Sequence, residues 1–486
     1  MVRASAWQIS VRWATRLLGL VSTIILARLL TPTDYGVVAI AALIVGTVDI
    51  FTQTGQRLAI IRHPNPSHEH YDSAWTIQVA LGLLLAIAIL GTIPLATIYF
   101  HEPRAAAVIP VFSLRTAIGA FENIGTLNFR RNLEFDKQFR YTVYPSVFSF
   151  FTTLISAIVL RNYWALAVGI ITEQTATTVL SYTMESFRPK FCFSKVRELW
   201  SFSIWTLARG VGIFFTAQVD KIAIGGFAGA GSMGRYEVAT DLATSPFREL
   251  NDPMISVLFP VMASFKNDLE KQRQLFFTVL YWSAVICASI SVGIAMVASD
   301  FTDLVLGPKW QDVKPLMPWL ALAYGVLGIG NGVYPTLDIW GHPHLSAKLQ
   351  WFRLVALAAC IVPVAFWMHN LEAIAFTRLL VTVVLTPTLF LALARVLDLR
   401  ARDFVITLWR PVVGSIVMAG AVLLVNSWCP FRGPPRLFLD STVGALVFIG
   451  SLMVLWLLVG RPDGPERVLW NRSRKIAFRF GLSAAG

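Results

Sequence analysis

Apolar runs of about 20 residues recur along the whole chain, and each is long enough at ~1.5 Å per residue to cross ~30 Å of hydrocarbon as a helix. One such run would be an anchor. Here they follow one another with short connections, and 56% of the 486 residues are hydrophobic while 14% are charged, at a mean hydropathy of +0.63. A water-soluble core cannot hide that much apolar surface. The pattern predicts an all-α polytopic membrane protein with about 14 transmembrane helices. The first six spans run roughly over 7–30, 36–58, 73–100, 105–128, 138–160 and 163–184. The next eight run roughly over 201–227, 235–262, 276–298, 315–340, 343–366, 372–393, 407–427 and 441–460. No connection is long enough to fold as a separate soluble domain, so function has to reside within the bundle.

Lys and Arg set the orientation. With the N-terminus inside, the cytoplasmic segments carry about 23 of them and the opposite loops about 6, and the bias alternates along the chain. Arg130, Arg131, Lys137 and Arg140 share one cytoplasmic loop, and Arg188, Lys190, Lys195 and Arg197 share the next. Both termini are therefore expected in the cytoplasm. The net charge of +13 is largely topological, and nucleic-acid binding is not needed to explain it. Trp7, Trp75, Trp164, Trp200, Trp310, Trp340, Trp367, Trp409 and Trp428 fall near predicted span ends, as an interfacial belt would require. Cys192, Cys287, Cys360 and Cys429 have no paired spacing and indicate neither a disulfide framework nor a zinc site. Arg12 and Arg16 make the first stretch too charged for a cleaved signal peptide, so it reads as a permanent helix.

A shift of 198 residues lays Thr33-Asp34-Tyr35-Gly36-Val37-Val38-Ala39-Ile40-Ala41 over Gly231-Ser232-Met233-Gly234-Arg235-Tyr236-Glu237-Val238-Ala239. Both stretches join two spans at the same topological place. Six spans separate the copies, so they keep one orientation and would be related by an axis along the membrane normal. This predicts two pseudo-symmetric six-helix lobes, 1–198 and 199–396, followed by two additional helices and a basic tail over 397–486. A shared loop preference for Gly after a small-residue turn is the alternative.

The run Ala27-Arg28-Leu29-Leu30-Thr31-Pro32-Thr33-Asp34-Tyr35-Gly36, followed by Thr54-Gly55 and Glu69-His70, resembles the opening of the lipid-linked oligosaccharide flippases of the polysaccharide transporter family. Val219-Asp220-Lys221-Ile222-Ala223-Ile224-Gly225-Gly226-Phe227, Gly234-Arg235-Tyr236 and Phe259-Pro260 are similar to that family's seventh and eighth helices. The resemblance implies the architecture of the multidrug, oligosaccharidyl-lipid and polysaccharide exporter superfamily. It further implies a bacterial cytoplasmic-membrane flippase for undecaprenyl-pyrophosphate-linked sugar units, with membrane lipid, a polysaccharide polymerase and a chain-length regulator as partners. Neither a cofactor nor a metal is implied.

A charge at the centre of a membrane helix costs about 2.5–3.5 kcal/mol on insertion scales, so it faces a partner, water or ligand. Arg12 and Arg16 share one face of the first span. Arg209 falls one residue from Arg12 under the repeat, so both lobes offer a cation at similar depth. Pyrophosphate is matched by such planar, permanently charged donors. Arg57, Arg115 and Arg353 are further candidates for a cationic cavity, and Arg378 sits in span 12. Asp220, Lys221, Glu122, Glu173 and Asp49 are candidates for ion coupling or a lobe interface, with Glu237 and Asp241 also able to titrate. For the arginines, snorkelling to the interface or ion pairing between helices is the competing role.

Prolines 110, 145, 246, 253, 260, 335, 363 and 387 lie within spans and predict bends. Gly229-Ala230-Gly231-Ser232-Met233-Gly234 satisfies G-x-G-x-x-G but follows no strand, so it is read as a loop. His63, His68, Glu69 and His70 are read as a solvated cytoplasmic loop, and the tail with Arg472, Arg474, Lys475 and Arg479 as an interfacial segment or topology anchor. The expected function is alternating-access flipping. An ion-coupled multidrug antiporter and a membrane glycosyltransferase, polymerase or ligase are the alternatives; an Arg-rich cavity and the lack of a large extramembrane loop argue against each in turn.

Overall fold

The computed structural model describes residues 15, 18–19, 21–50, 60, 66–132, 134–196, 204–265, 268–428 and 433–460. Regular structure among them is helical throughout. Residues 21–29 are helical, followed by α1 (Pro32–Asp49), α2 (His68–Gly91), α3 (Ile93–Phe100), α4 (Ala105–Ala120), α5 (Leu127–Arg131), α6 (Phe135–Leu160) and α7 (Trp164–Met184). Then come α8 (Ile204–Ser264), α9 (Leu269–Phe301), α10 (Leu316–Gly330), α11 (Val333–Ile339), α12 (Pro343–Met368), α13 (Leu371–Leu397), α14 (Ala401–Trp428) and α15 (Pro434–Leu458). Ten segments among the described residues are long and apolar enough to cross a membrane. Large apolar side chains on their flanks stand open, such as Ile87 at 70% and Leu446 at 71%, as expected of surfaces solvated by lipid tails.

Helix ends follow local chemistry. Thr31 caps α1: its backbone N–H and its hydroxyl donate to Asp34 Oδ2 at 2.9 and 2.6 Å, the Asp34 N–H returns to Thr31 Oγ1, and Pro32 occupies the first helical turn. The predicted third span breaks at Thr92, just before Pro94, into α2 and α3. The tenth breaks between Gly330 and Val333. Pro110, Pro145, Pro363 and Pro387 lie inside helices, and so does Pro411.

Two sequence expectations change. The predicted 229–234 loop narrows to a single residue, because Gly229, at φ 71° and ψ 177°, turns the chain alone and the helix resumes at once. His68, Glu69 and His70 are not a solvated loop but the first turn of α2, where His70 Nδ1 accepts from the Ser67 N–H at 3.1 Å and His68 meets Asp72 at 2.9 Å. His63 and the basic tail lie outside the described residues.

Contacts divide the chain into two units. The first is Met1–Val238, Val305–Trp310 and Gln350–Leu371. Its packing includes Tyr71, Trp75 and Ile77 of α2 against Ile124 and Leu127, and Leu26 and Leu30 against Ala157 and Ala165. The 187–196 segment docks on the start of α2, where the N–H groups of Lys190, Cys192 and Lys195 donate to Asp72, Thr76 and Ser73 at 2.8–3.1 Å. The second unit is Ala239–Leu304, Gln311–Leu349 and Glu372–Gly486. Its core joins Leu258, Met262, Phe276, Leu280, Leu337, Phe390, Leu393 and Phe404.

Candidate functional site

Within the first unit the two repeat copies meet. A Cβ on Gly36 would lie 1.7 Å from the Ala230 carbonyl oxygen, and one on Gly234 would lie 1.9 Å from the Pro32 carbonyl oxygen. Gly36 and Gly234 are 198 residues apart, as are Pro32 and Ala230, so the two contacts are reciprocal. Each glycine lacks a side chain at the contact, which lets the helix backbones touch. The helix starts also correspond: Thr31 and Gly229 are 198 apart, and each is the non-helical residue from which a helix departs. This match was open to sequence reasoning only as a register. The contact itself was not.

A second reciprocity surrounds it. In the connection after α9, Trp310 is fully buried and its indole Nε1 donates to the Ala27 carbonyl at 2.8 Å. Arg28 Nε donates to the Val305 carbonyl and Lys309 Nζ to the Arg28 carbonyl, both at 3.2 Å. Trp310 also meets Tyr35 edge to face, with centroids 5.3 Å apart. At the end of α3, Tyr99 donates to the Ile222 carbonyl at 3.1 Å, and the Phe100 and Tyr99 rings cover Gly225 and Gly226. Gly225 and Gly226 are Ala27 and Arg28 shifted by 198. One aromatic connection thus covers each copy of the same helix end. Beside Phe100, Arg104 grips Glu102 through two bonds of 2.7 and 2.8 Å, which hold the Glu102 carboxyl below its ordinary range.

By its place near a span end, Trp310 is expected in the interfacial belt. Its burial removes it from there, whereas Trp367 and Trp428, at 83% and 81% exposed on helix ends, suit a belt. Trp75 is buried in the α2 core. A tryptophan near a span end reads alike whether it faces headgroups or another helix, and Gly307 at φ 87°, followed by Pro308, marks the turn before Trp310.

The predicted charges fall into separate groups. Asp49 at the end of α1 lies in the electrostatic field of Arg115 on α4, so these two are brought together. Glu122, just past α4, accepts from Tyr141 of α6, and Gln78 of α2 donates to the Glu122 carbonyl at 2.9 Å. Glu173 is exposed on α7 and accepts from Ser146 of α6 at 3.0 Å. Asp220 and Lys221 pair across the Gly229 turn: Tyr236 donates to Asp220, and Lys221 Nζ sits 2.5 Å from Glu237. These bonds stitch the two arms of α8 in register. The other repeat copy has Ser22, Thr23, Val38 and Ala39 there, so the stitch belongs to one copy only.

Gln350 of α12 donates to Thr216 at 2.8 Å and to the Gly212 carbonyl at 3.3 Å. Arg209 shares the helix face of Gly212 and Thr216, and Arg353, 4% exposed, shares that of Gln350, so the two arginines lie on facing sides of α8 and α12. Arg378 is buried in the second unit, 4.8 Å over the Tyr324 ring. Arg12, Arg16 and Arg57 lie outside the described residues.

Residues 25–315 match the family described as polysaccharide biosynthesis protein. The lipopolysaccharide biosynthesis protein WzxC of Escherichia coli strain K12 is 25% identical over 403 residues, 81% of each chain. The succinoglycan biosynthesis transport protein ExoT of Rhizobium meliloti strain 1021 is 23% identical over 369 residues, 75% of this chain and 74% of that one. The solved structure of the lipid II flippase MurJ in an inward closed conformation is similar with a TM-score of 0.70 at 13% identity, covering 94% of this chain and 100% of that one. An inward-facing multidrug resistance transporter of the MATE family and MOP superfamily follows at 0.53 and 16% identity, covering 80% and 96%. These two show the fold alone. With more than half of its length matched and the reciprocal contact inside the matched span, the chain belongs to the polysaccharide biosynthesis protein family.

Proposed function

We propose that the protein is a flippase that moves undecaprenyl-pyrophosphate-linked oligosaccharide units across the bacterial cytoplasmic membrane for O-antigen, capsule or exopolysaccharide synthesis. It is a transporter and not an enzyme. The family match over the residues that form the reciprocal contact carries this reading, and the transport and biosynthesis names of WzxC and ExoT point the same way. The mechanism is alternating access. The lobes 1–198 and 199–396 close on each other at Gly36 and Gly234 on one side while the headgroup enters from the other, and the lipid tail stays in the bilayer. The break at Gly229 supports a count of 14 helices, and the Lys and Arg bias of the connections supports cytoplasmic termini. A polymerase and a chain-length regulator act on the delivered units.

In this mechanism Arg12, Arg16, Arg57, Arg115, Arg209 and Arg353 supply the cationic cavity for the pyrophosphate. Arg16→Ala is expected to abolish export while the protein remains in the membrane at near-normal abundance. Arg16→Lys restores it partly, because a point charge replaces a bidentate fork. The measurement is the lipid-linked intermediate held on the cytoplasmic leaflet, with membrane protein quantified in parallel. Full export by Arg16→Ala removes that residue from the cavity. If the wild-type protein, reconstituted in vesicles, leaves lipid-linked oligosaccharide on one leaflet, the flippase reading fails.

A further inference from the structure

The second unit holds a cavity of about 1140 Å³ where α9 and α14 begin and α15 ends. Its wall carries both signs of charge. Glu270 and Arg273 come from α9, Asp398 and Arg400 from the connection after α13, and Asp403 and Arg410 from α14, three carboxylates and three guanidiniums. The connection is held in place by Arg273, which donates to the carbonyls of Leu397 and Asp398 at the end of α13. Arg410 is 8% exposed and lies 5.2 Å over the Tyr281 ring, so one cation is built into the wall.

The rim differs from the wall. Ile406 and Val459, which also line the cavity, are 49% and 50% exposed and continue into the open apolar flank that includes Val405 at 64%. A charged wall with an apolar, lipid-facing lip fits an amphiphile whose head sits inside and whose chains leave over the lip. Equal numbers of opposite charges select the head. A purely anionic group would meet the guanidiniums but bring no cation to the three carboxylates. A zwitterion places its phosphate against guanidinium forks and its ammonium against carboxylates and aromatic faces. We propose that this pocket binds the headgroup of a zwitterionic phospholipid of the phosphoethanolamine class, a bilayer lipid held at the helix ends.

The test uses the purified full-length chain and native mass spectrometry with equimolar dioleoyl phosphatidylethanolamine and dioleoyl phosphatidylglycerol, then with added polyprenyl pyrophosphate. Phosphatidylethanolamine should be retained over phosphatidylglycerol by roughly tenfold, the scale of one charge-assisted hydrogen bond. Glu270 and Arg400 are exposed, so their substitution leaves the packing intact. Glu270→Gln should lower phosphatidylethanolamine retention only, and Arg400→Gln should lower both lipids. Equal retention of the two lipids, or a preference untouched by both substitutions, overturns the proposal. Displacement of phosphatidylethanolamine by polyprenyl pyrophosphate, lost in Arg400→Gln, overturns it too by making the pocket a substrate site. Binding is read without export, so failure here leaves the flippase reading standing.

Discussion

Replacing Gly36 with leucine is expected to cut polysaccharide export by roughly tenfold or more. A Cβ there lies 1.7 Å from a backbone oxygen of Ala230, which cannot rotate aside as a side chain would. The helices must part, and overpacking of this kind costs about 1–3 kcal/mol, or roughly five- to a hundredfold in the population of the closed contact. Gly234→Leu, whose Cβ meets the Pro32 carbonyl, should behave alike. The double variant should be little worse than either single one, because both break one contact. Gly420→Leu is the control, since a Cβ at that helical position meets nothing within 4 Å. Surface polysaccharide normalised to membrane protein gives the readout, and wild-type export by Gly36→Leu would contradict the assignment.

Trp310→Ala is expected to destabilise the folded protein by about 3–5 kcal/mol, as removal of a fully buried aromatic does. Trp310→Phe keeps most of the packing and loses the bond to the Ala27 carbonyl, a cost of about 1 kcal/mol. Trp428, at 81% exposed, should tolerate alanine within about 0.5 kcal/mol. Unfolding of the purified variants in one detergent separates the two tryptophans, which by position along the chain belong to the same class. Equal losses at positions 310 and 428 would return Trp310 to the interface.

Much of the fold is legible because membrane crossing is written in length and hydropathy, and α6, α7, α9 and α12 through α15 lie where the apolar runs predict. Helices outrun those runs at charged ends, as α9 does by starting at Leu269, because charge ends burial in lipid and not helix. The Thr31-Pro32-Thr33-Asp34 stretch carried family resemblance first and a capping box second, and the box accounts for it physically. What sequence could not show was partnership. Spacing puts Arg209 and Arg353 on defined faces, but only packing brings those faces together. Adjacency made Asp220 and Lys221 look divergent, yet a one-residue turn at Gly229 gives each its own partner on the returning arm. The 198-residue register, read as an internal repeat with a shared loop preference as the alternative, is also the register of the Gly36–Ala230 and Gly234–Pro32 contacts.

The most direct test is a reversible lock on that contact. The Cβ position of Gly231 lies 3.4 Å from Thr33 Oγ1, so side chains at these two positions touch. In a background with Cys192, Cys287, Cys360 and Cys429 replaced by serine, Thr33→Cys with Gly231→Cys should cross-link under mild oxidant. Export by the locked protein should stop, and reductant should restore it, while each single cysteine variant exports normally under both conditions. If the contact must open in every transport cycle, no other result is available. Undiminished export by protein shown to be fully cross-linked would contradict alternating access through this contact.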